Sequence, residues 1–162
     1  MSTEERLYRL GALRIPIGVT GIARLATADD RGLLAEWVEL FLRERPASCK
    51  TTERAHHSAT PPTGWGTGSC CGTSTAHQSA WRCCAHQHPG CRGSGRCFSP
   101  LPLRGHGYGS AVTAAAVNLA HRSGTADVVL FADLANPTSN AIYQQIGFEA
   151  VCDSVHIDFR VP

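Results

Sequence analysis

Two stretches of this chain carry residue types and spacings that could do chemistry. The first is Arg104-Gly105-His106-Gly107-Tyr108-Gly109-Ser110, which runs straight into the alanine-rich Ala111-Val112-Thr113-Ala114-Ala115-Ala116-Val117. Glycines let a backbone turn sharply and approach a ligand closely. The first amides of a helix lack internal acceptors and sit at the positive end of the helix dipole. Such a turn opening a helix is therefore a site for phosphate or pyrophosphate. The second stretch holds Cys83, Cys84, His86, His88 and Cys91, which are zinc-ligand types. Adjacent cysteines and a His-x-His do not, however, have the paired spacing of structural zinc sites.

The elements that position these residues are legible on either side of a break in composition. Residues 46–100 contain no Leu, Ile, Val or Met, yet hold seven of the eight cysteines and five of the eight histidines. A segment of this kind cannot bury enough apolar area to offset its ordering entropy, and it is far longer than an ordinary loop. It is expected to be disordered, to be a metal-stapled insert, or to be translated out of frame. The genetic code allows the third option to be examined on paper. Read from the third base of each codon, any residue followed by Cys or Trp gives Leu, Met or Val, and Cys70-Cys71 and Cys83-Cys84 give Leu. One permitted decoding of Gln78 to Cys84 is Val-Ser-Leu-Ala-Val-Leu, and one of Gly90 to Phe98 is Val-Ser-Arg-Val-Gly-Pro-Val-Phe. Both read as strands. The frameshift is the preferred reading, and as written the segment is expected to supply no strands. A poorly soluble or molten chain would result, and a cooperative unfolding transition would contradict that.

Outside this segment the chain of 162 residues reads as one globular domain. Leu7 to Leu10 and Ile22 to Leu25 alternate as short strands. Thr27 to Asp30 offers N-caps for a helix with a stripe of Leu33, Leu34, Trp37, Val38, Phe41 and Leu42. The helix opened by the glycine turn is expected to end at Arg122-Ser123 with Gly124 as its stop, burying Val112, Ala115, Ala116 and Leu119. Asp127 to Asp133 reads as a central strand with both faces covered. Asn136-Pro137 starts a short helix that ends at Gly147. Phe148 to Val151 and Val155 to Phe159 read as a hairpin about Cys152-Asp153-Ser154.

Charge and hydropathy narrow the function. The net charge of +2 is concentrated in residues 46–100, where five Lys/Arg face Glu53 alone, so the rest is slightly acidic and offers no basic face for nucleic acid. No apolar run is long enough to span a membrane, and the charged start is not a secretory signal, so a cytoplasmic location is expected.

In this order of elements the sequence resembles the GNAT superfamily of acyl-CoA-dependent N-acetyltransferases. The family's acetyl-CoA motif falls on Arg104, Gly107 and Gly109, and a later motif falls on Asn136, Ser139, Tyr143, Gly147 and Phe148. The match is strong over residues 101–162 and general in shape over 22–44. The resemblance implies an α/β (α+β, three-layer) fold, with a mixed central sheet flanked by helices and its central strands disrupted in residues 46–100. It implies transfer of an acetyl group from acetyl-CoA to a primary amine, on a small molecule or a peptide, by an enzyme whose activity as translated is open. Amides from Gly105 to Ser110, including His106 and Tyr108, would hold the pyrophosphate, with Arg104 adding charge. Tyr143 would protonate the departing thiolate, while Asn136 and Asn140 would bond the pantetheine arm or fix the short helix. No metal, nucleic acid or membrane is implied, and a homodimer is allowed for. The alternative is a non-enzymatic zinc- or partner-binding module built on the Cys/His-rich insert. The strand at Leu7 to Leu10, ahead of the expected first strand, would suit the catalytic half of a longer two-domain acetyltransferase.

Overall fold

The computed structural model describes residues 2–44, 70–75, 77–88 and 91–157, with residues 70–96 and 156 as backbone. Among these, seven strands form one sheet in the order β2-β3-β4-β5-β6-β1-β7. They are β1 (Ser2–Leu10), β2 (Ile22–Leu25), β3 (Cys70–Thr75), β4 (His77–His88), β5 (Cys91–Phe98), β6 (Asp127–Asp133) and β7 (Phe148–Ile157). Three α-helices accompany them: α1 (Arg31–Glu44), α2 (Tyr108–Arg122) and α3 (Pro137–Ile146). The β5–β6 pair is parallel and every other pair is antiparallel.

Alternation along β5 assigns the helices to opposite faces. Cys97 packs with Val112, Ala116 and Leu119 around α2, while the next residue, Phe98, packs edge-on against Trp37 and Phe41 of α1. α3 lies on the α2 side, where Tyr143, Ile146 and Phe148 join Ala114, Val117, Val128, Leu130 and Tyr8 in the main core. The result is a three-layer mixed sheet, as expected.

Of residues 46–100, segments 70–75, 77–88 and 91–98 depart from expectation, while the reading of residues 46–69 lies outside the described residues. Three strands, β3 to β5, lie where the written sequence was expected to provide none. Strand pairing is made by backbone amides and carbonyls, so a run without aliphatics can still enter a ladder when neighbours template it. The disruption shows as irregular register, at Gly72/Ser74 between β3 and β4 and at Arg82/Cys84 and His86/His88 between β4 and β5.

Three local readings are corrected as well. β7 is one continuous strand, with no hairpin turn at Cys152 to Ser154. β1 begins at Ser2 and supplies a partner along its whole length, with one bulge at Leu7/Tyr8, so the polar residues stay in the ladder and Arg6 forks onto Asp153. The reading of Phe159 lies outside the described residues. On α2 the buried residues are Val112, Thr113, Ala114, Ala116, Val117 and Ala120, whereas Ala115 and Leu119 of the expected stripe are half-buried, because this helix packs on the sheet and on α3 at once.

α1 starts as the sequence suggests. Asp30 accepts from the Thr27 amide at 2.7 Å and takes both arms of the Arg24 guanidinium, at 2.6 and 2.8 Å. A buried carboxylate is held there by a bidentate partner and a cap together.

Candidate functional site

Among the described residues, the parallel pair β5–β6 is the only strand pair from which two helices leave at the same end. Its ladder runs from Cys91↔Asp127 to Ser94↔Leu130 and stops. Beyond it, Cys97 and Phe98 stay paired with Arg82 and Trp81 of β4, while Phe131 to Asp133 stay paired with β1. Two parallel strands therefore part at their carboxyl ends, where open α/β sheets bind ligands. The chain leaves β5 through a short 3-10 turn at Leu101–Leu103 and the glycine turn into α2, and leaves β6 by a short turn into α3, so two helix N-termini flank the opening.

The wall on the α2 side is the glycine turn. Gly105 and Gly107 both have φ +80°, a left-handed conformation that suits glycine. Gly107 is the N-cap of α2 and brings no side-chain cap to the first amides of Tyr108, Gly109 and Ser110. A Cβ on Gly105 would meet nothing within 4 Å, so that side of the turn is open, whereas one on Gly107 would come within 2.9 Å of Val19. Next to Gly109 lie Cys97 Sγ and Ser99 Oγ, and Thr113 Oγ1 donates to the Gly109 carbonyl at 2.7 Å. This donor set, amides at a helix start with no side-chain cap and glycines at 105, 107 and 109, fits a pyrophosphate.

Arg104 and His106 have local partners. The Arg104 guanidinium pairs with Glu44 at the end of α1, donates to the Ser99 carbonyl at 2.9 Å and lies 5.7 Å from the centre of the Phe98 ring. His106 Nδ1 lies 2.8 Å from the Arg104 carbonyl, and its ring stacks on Tyr108.

The wall on the α3 side is tied down tightly. Asn136 Oδ1 accepts from the Ser139 amide at 3.1 Å, the N-cap geometry its position suggests. Asn140 donates from Nδ2 to the carbonyls of Asp133 and Asn136, at 2.8 and 2.7 Å, and its Oδ1 accepts from the Tyr8 hydroxyl at 2.8 Å. Of the two roles considered for these asparagines, the contacts seen are those that fix the short helix. Tyr143 is buried, its ring 6.3 Å from that of Tyr8 and 6.0 Å from that of Phe148. Side chains on a helix lean toward its N-terminus, which for Tyr143 is the end at the opening.

The glycine turn and Tyr143 thus come from two helices that start at one end of one strand pair. Sequence reasoning missed Tyr8, Glu44 and Val19. Tyr8 and Asn140 are 132 residues apart and Arg104 and Glu44 are 60 apart, and no local spacing signals either pair. The side chains of Cys83, Cys84, His86, His88 and Cys91 lie outside those described; the described residues contain no cluster of three or more groups able to hold a metal.

No family model matches the sequence. No curated protein matches it either. Its backbone does match solved structures. An acetyltransferase of the GNAT family from Colwellia psychrerythraea superimposes with a TM-score of 0.70 at 11% identity, over 96% of this chain and 55% of that one. The chain has the GNAT fold. A GCN5-related N-acetyltransferase from Sphaerobacter thermophilus matches with a TM-score of 0.63 at 18% identity, over 94% of this chain and 50% of that one. Another GCN5-related N-acetyltransferase, from Kribbella flavida, gives 0.60 at 18% identity, over 91% and 55%. The chain spans 50–63% of the length of the first six solved structures it resembles. Within the GNAT fold, the parted β5–β6 pair and the two helix starts are the features on which a functional reading can be built. Among the described residues no helix is long and apolar enough to cross a membrane.

Proposed function

We propose that this chain is an N-acetyltransferase domain that takes an acetyl group from acetyl-CoA to a primary amine. The observation that carries the reading is the parting of β5 and β6 after Ser94 and Leu130, with the uncapped glycine turn of α2 on one side and α3 on the other. Amides of Tyr108, Gly109 and Ser110 hold the pyrophosphate, and Gly105 leaves room for it. Arg104 contributes charge from a position shared with Glu44. Acetyl-CoA supplies the acyl group and a thiolate leaving group. As the amine nitrogen bonds to the carbonyl carbon and the carbon–sulfur bond breaks, the Tyr143 hydroxyl gives its proton to the sulfur. Solvent takes the proton released by the nitrogen and restores the hydroxyl.

The test is thiol release from acetyl-CoA against a panel of small amines and amino-terminal peptides. Tyr143→Phe keeps the ring between Tyr8 and Phe148 and should lower turnover by roughly 10²-fold or more, the scale of one general acid. Unchanged turnover in that variant would remove Tyr143 from the reaction.

One observation favours a second reading, of the gene rather than the site. β4 and β5 cover Gln78 to Cys84 and most of Gly90 to Phe98, the two stretches that decode as strands in the other frame. Residues 46–100 are then an out-of-frame version of the sheet's centre, and turnover is weaker than the site alone would give. Resequencing the DNA decides this: an unbroken frame across these codons ends the reading.

A further inference from the structure

β1 holds the turn from which α3 starts, and it does so by two contacts. The Leu134 amide donates to the Glu4 carbonyl at 3.0 Å, directly after the end of β6. Deeper in, the Tyr8 hydroxyl donates to Asn140 Oδ1 at 2.8 Å. Tyr8 is fully buried, so this hydroxyl has its hydrogen-bonding capacity committed in the core. With Oδ1 engaged, the amide group of Asn140 is oriented with its nitrogen toward the Asp133 and Asn136 carbonyls. Asp133 is the last residue of β6, on the parting side of the opening, and Asn136 is the cap of α3. The Tyr8 ring also lies against the Tyr143 ring.

Tyr8 therefore touches both the amide that clamps α3 to β6 and the side chain one turn further along the same helix. We infer that Tyr8 is a positioning residue, which acts through Asn140 to set the angle of α3 at the opening and so the place of the Tyr143 hydroxyl. The inference rests on the proposed function for the role of Tyr143, and on the hydrogen bonds alone for the clamp. Its physical basis is that a reacting group displaced slightly from its place loses rate steeply, while ligand binding elsewhere is untouched.

The test uses Tyr8→Phe, which keeps the buried ring and removes only the hydroxyl, with Asn140→Ala as a second variant. Amide hydrogen exchange of the full chain reads the clamp without any turnover. In both variants the amides of Asn136 and Asn140 should exchange at least about tenfold faster, while those of the α2 interior keep their protection. Unchanged exchange at these two amides overturns the clamp. Kinetics read the consequence: kcat per folded molecule, with the folded fraction taken from melting curves, should fall about tenfold or more with KM for acetyl-CoA unchanged, and the correction for folded fraction removes any loss of stability. Equal kcat in parent and Tyr8→Phe overturns the positioning role. A parent chain without thiol release overturns the proposed reaction and the catalytic part of this inference, and the exchange result still decides the clamp.

Discussion

The guanidinium of Arg104, in the glycine turn, is paired with the carboxylate of Glu44, at the last residue of α1 on the other face of the sheet. The residue that sequence reasoning would aim at a phosphate is thus shared with a carboxylate that competes for it. Glu44→Gln removes the competing charge and keeps a hydrogen-bonding group. Acetyl-CoA binding should tighten by up to about fivefold, since a half-exposed ion pair is worth up to about 1 kcal/mol. Titration calorimetry of the two proteins measures this, and weaker binding in Glu44→Gln would mean that Glu44 holds Arg104 in its binding place.

Glycine substitutions should separate strain from collision. Gly147 has φ +109°, and a Cβ there would stand 2.0 Å from the Ala12 carbonyl oxygen, a backbone atom that cannot move aside. The Gly11 amide donates to the Gly147 carbonyl at 3.0 Å and the Arg14 amide to that of Ile146 at 2.7 Å, so the loop is fixed on both sides of the contact. Gly147→Ala should cost more than about 3 kcal/mol, beyond backbone strain alone. Gly105→Ala, with open space around it, should cost only about 1–2 kcal/mol for its left-handed φ. Denaturant titrations of both variants would show this order; equal losses would mean that the Ala12 loop yields.

The cross-strand pair Arg6–Asp153 makes stability depend on acid. Hydrogen bonding to Arg6 holds the Asp153 carboxyl below its ordinary 3.8, against an opposing desolvation effect, while Asp153 raises the Arg6 guanidinium further above its usual value. A depressed carboxylate stabilises the fold above its unfolded pKa, and that contribution is lost as pH falls through the folded value. The pair is exposed, so the effect is small. Melting curves of the parent and Asp153→Asn should differ by a constant amount near neutrality and converge only below 3.8. Convergence at higher pH would show that Arg6 does not hold the carboxylate.

What was legible in the sequence follows from how local each signal is. Asn136-Pro137 and Gly147 gave the bounds of α3 because capping is settled within a turn of chain. The glycine turn was legible for the same reason. The polar triplet Cys152-Asp153-Ser154 reads locally as a turn, and only β1, from the other end of the chain, makes it a ladder segment. The strands β3 to β5 were hidden because apolar alternation, the signal used to find strands, is missing from residues 46–100, whereas backbone pairing does not need it. Tyr8 reads as one more residue of an alternating strand. Its role exists only once α3 lies across it.

The central claim is that the first turn of α2 binds the pyrophosphate of acetyl-CoA, and Gly109→Asp tests it most directly. A Cβ at Gly109 would meet Cys97 Sγ at 3.8 Å and Ser99 Oγ at 3.9 Å, ordinary contact, so the Cβ itself brings no collision. A carboxylate in the first turn of a helix favours the fold by about 0.3–1 kcal/mol and repels a second anion at the same place. Titration calorimetry with acetyl-CoA should show saturable binding to the parent and at least about tenfold weaker binding to Gly109→Asp, with the variant's melting temperature no lower. Equal affinity in the two proteins, or no binding to a folded parent, would contradict the account.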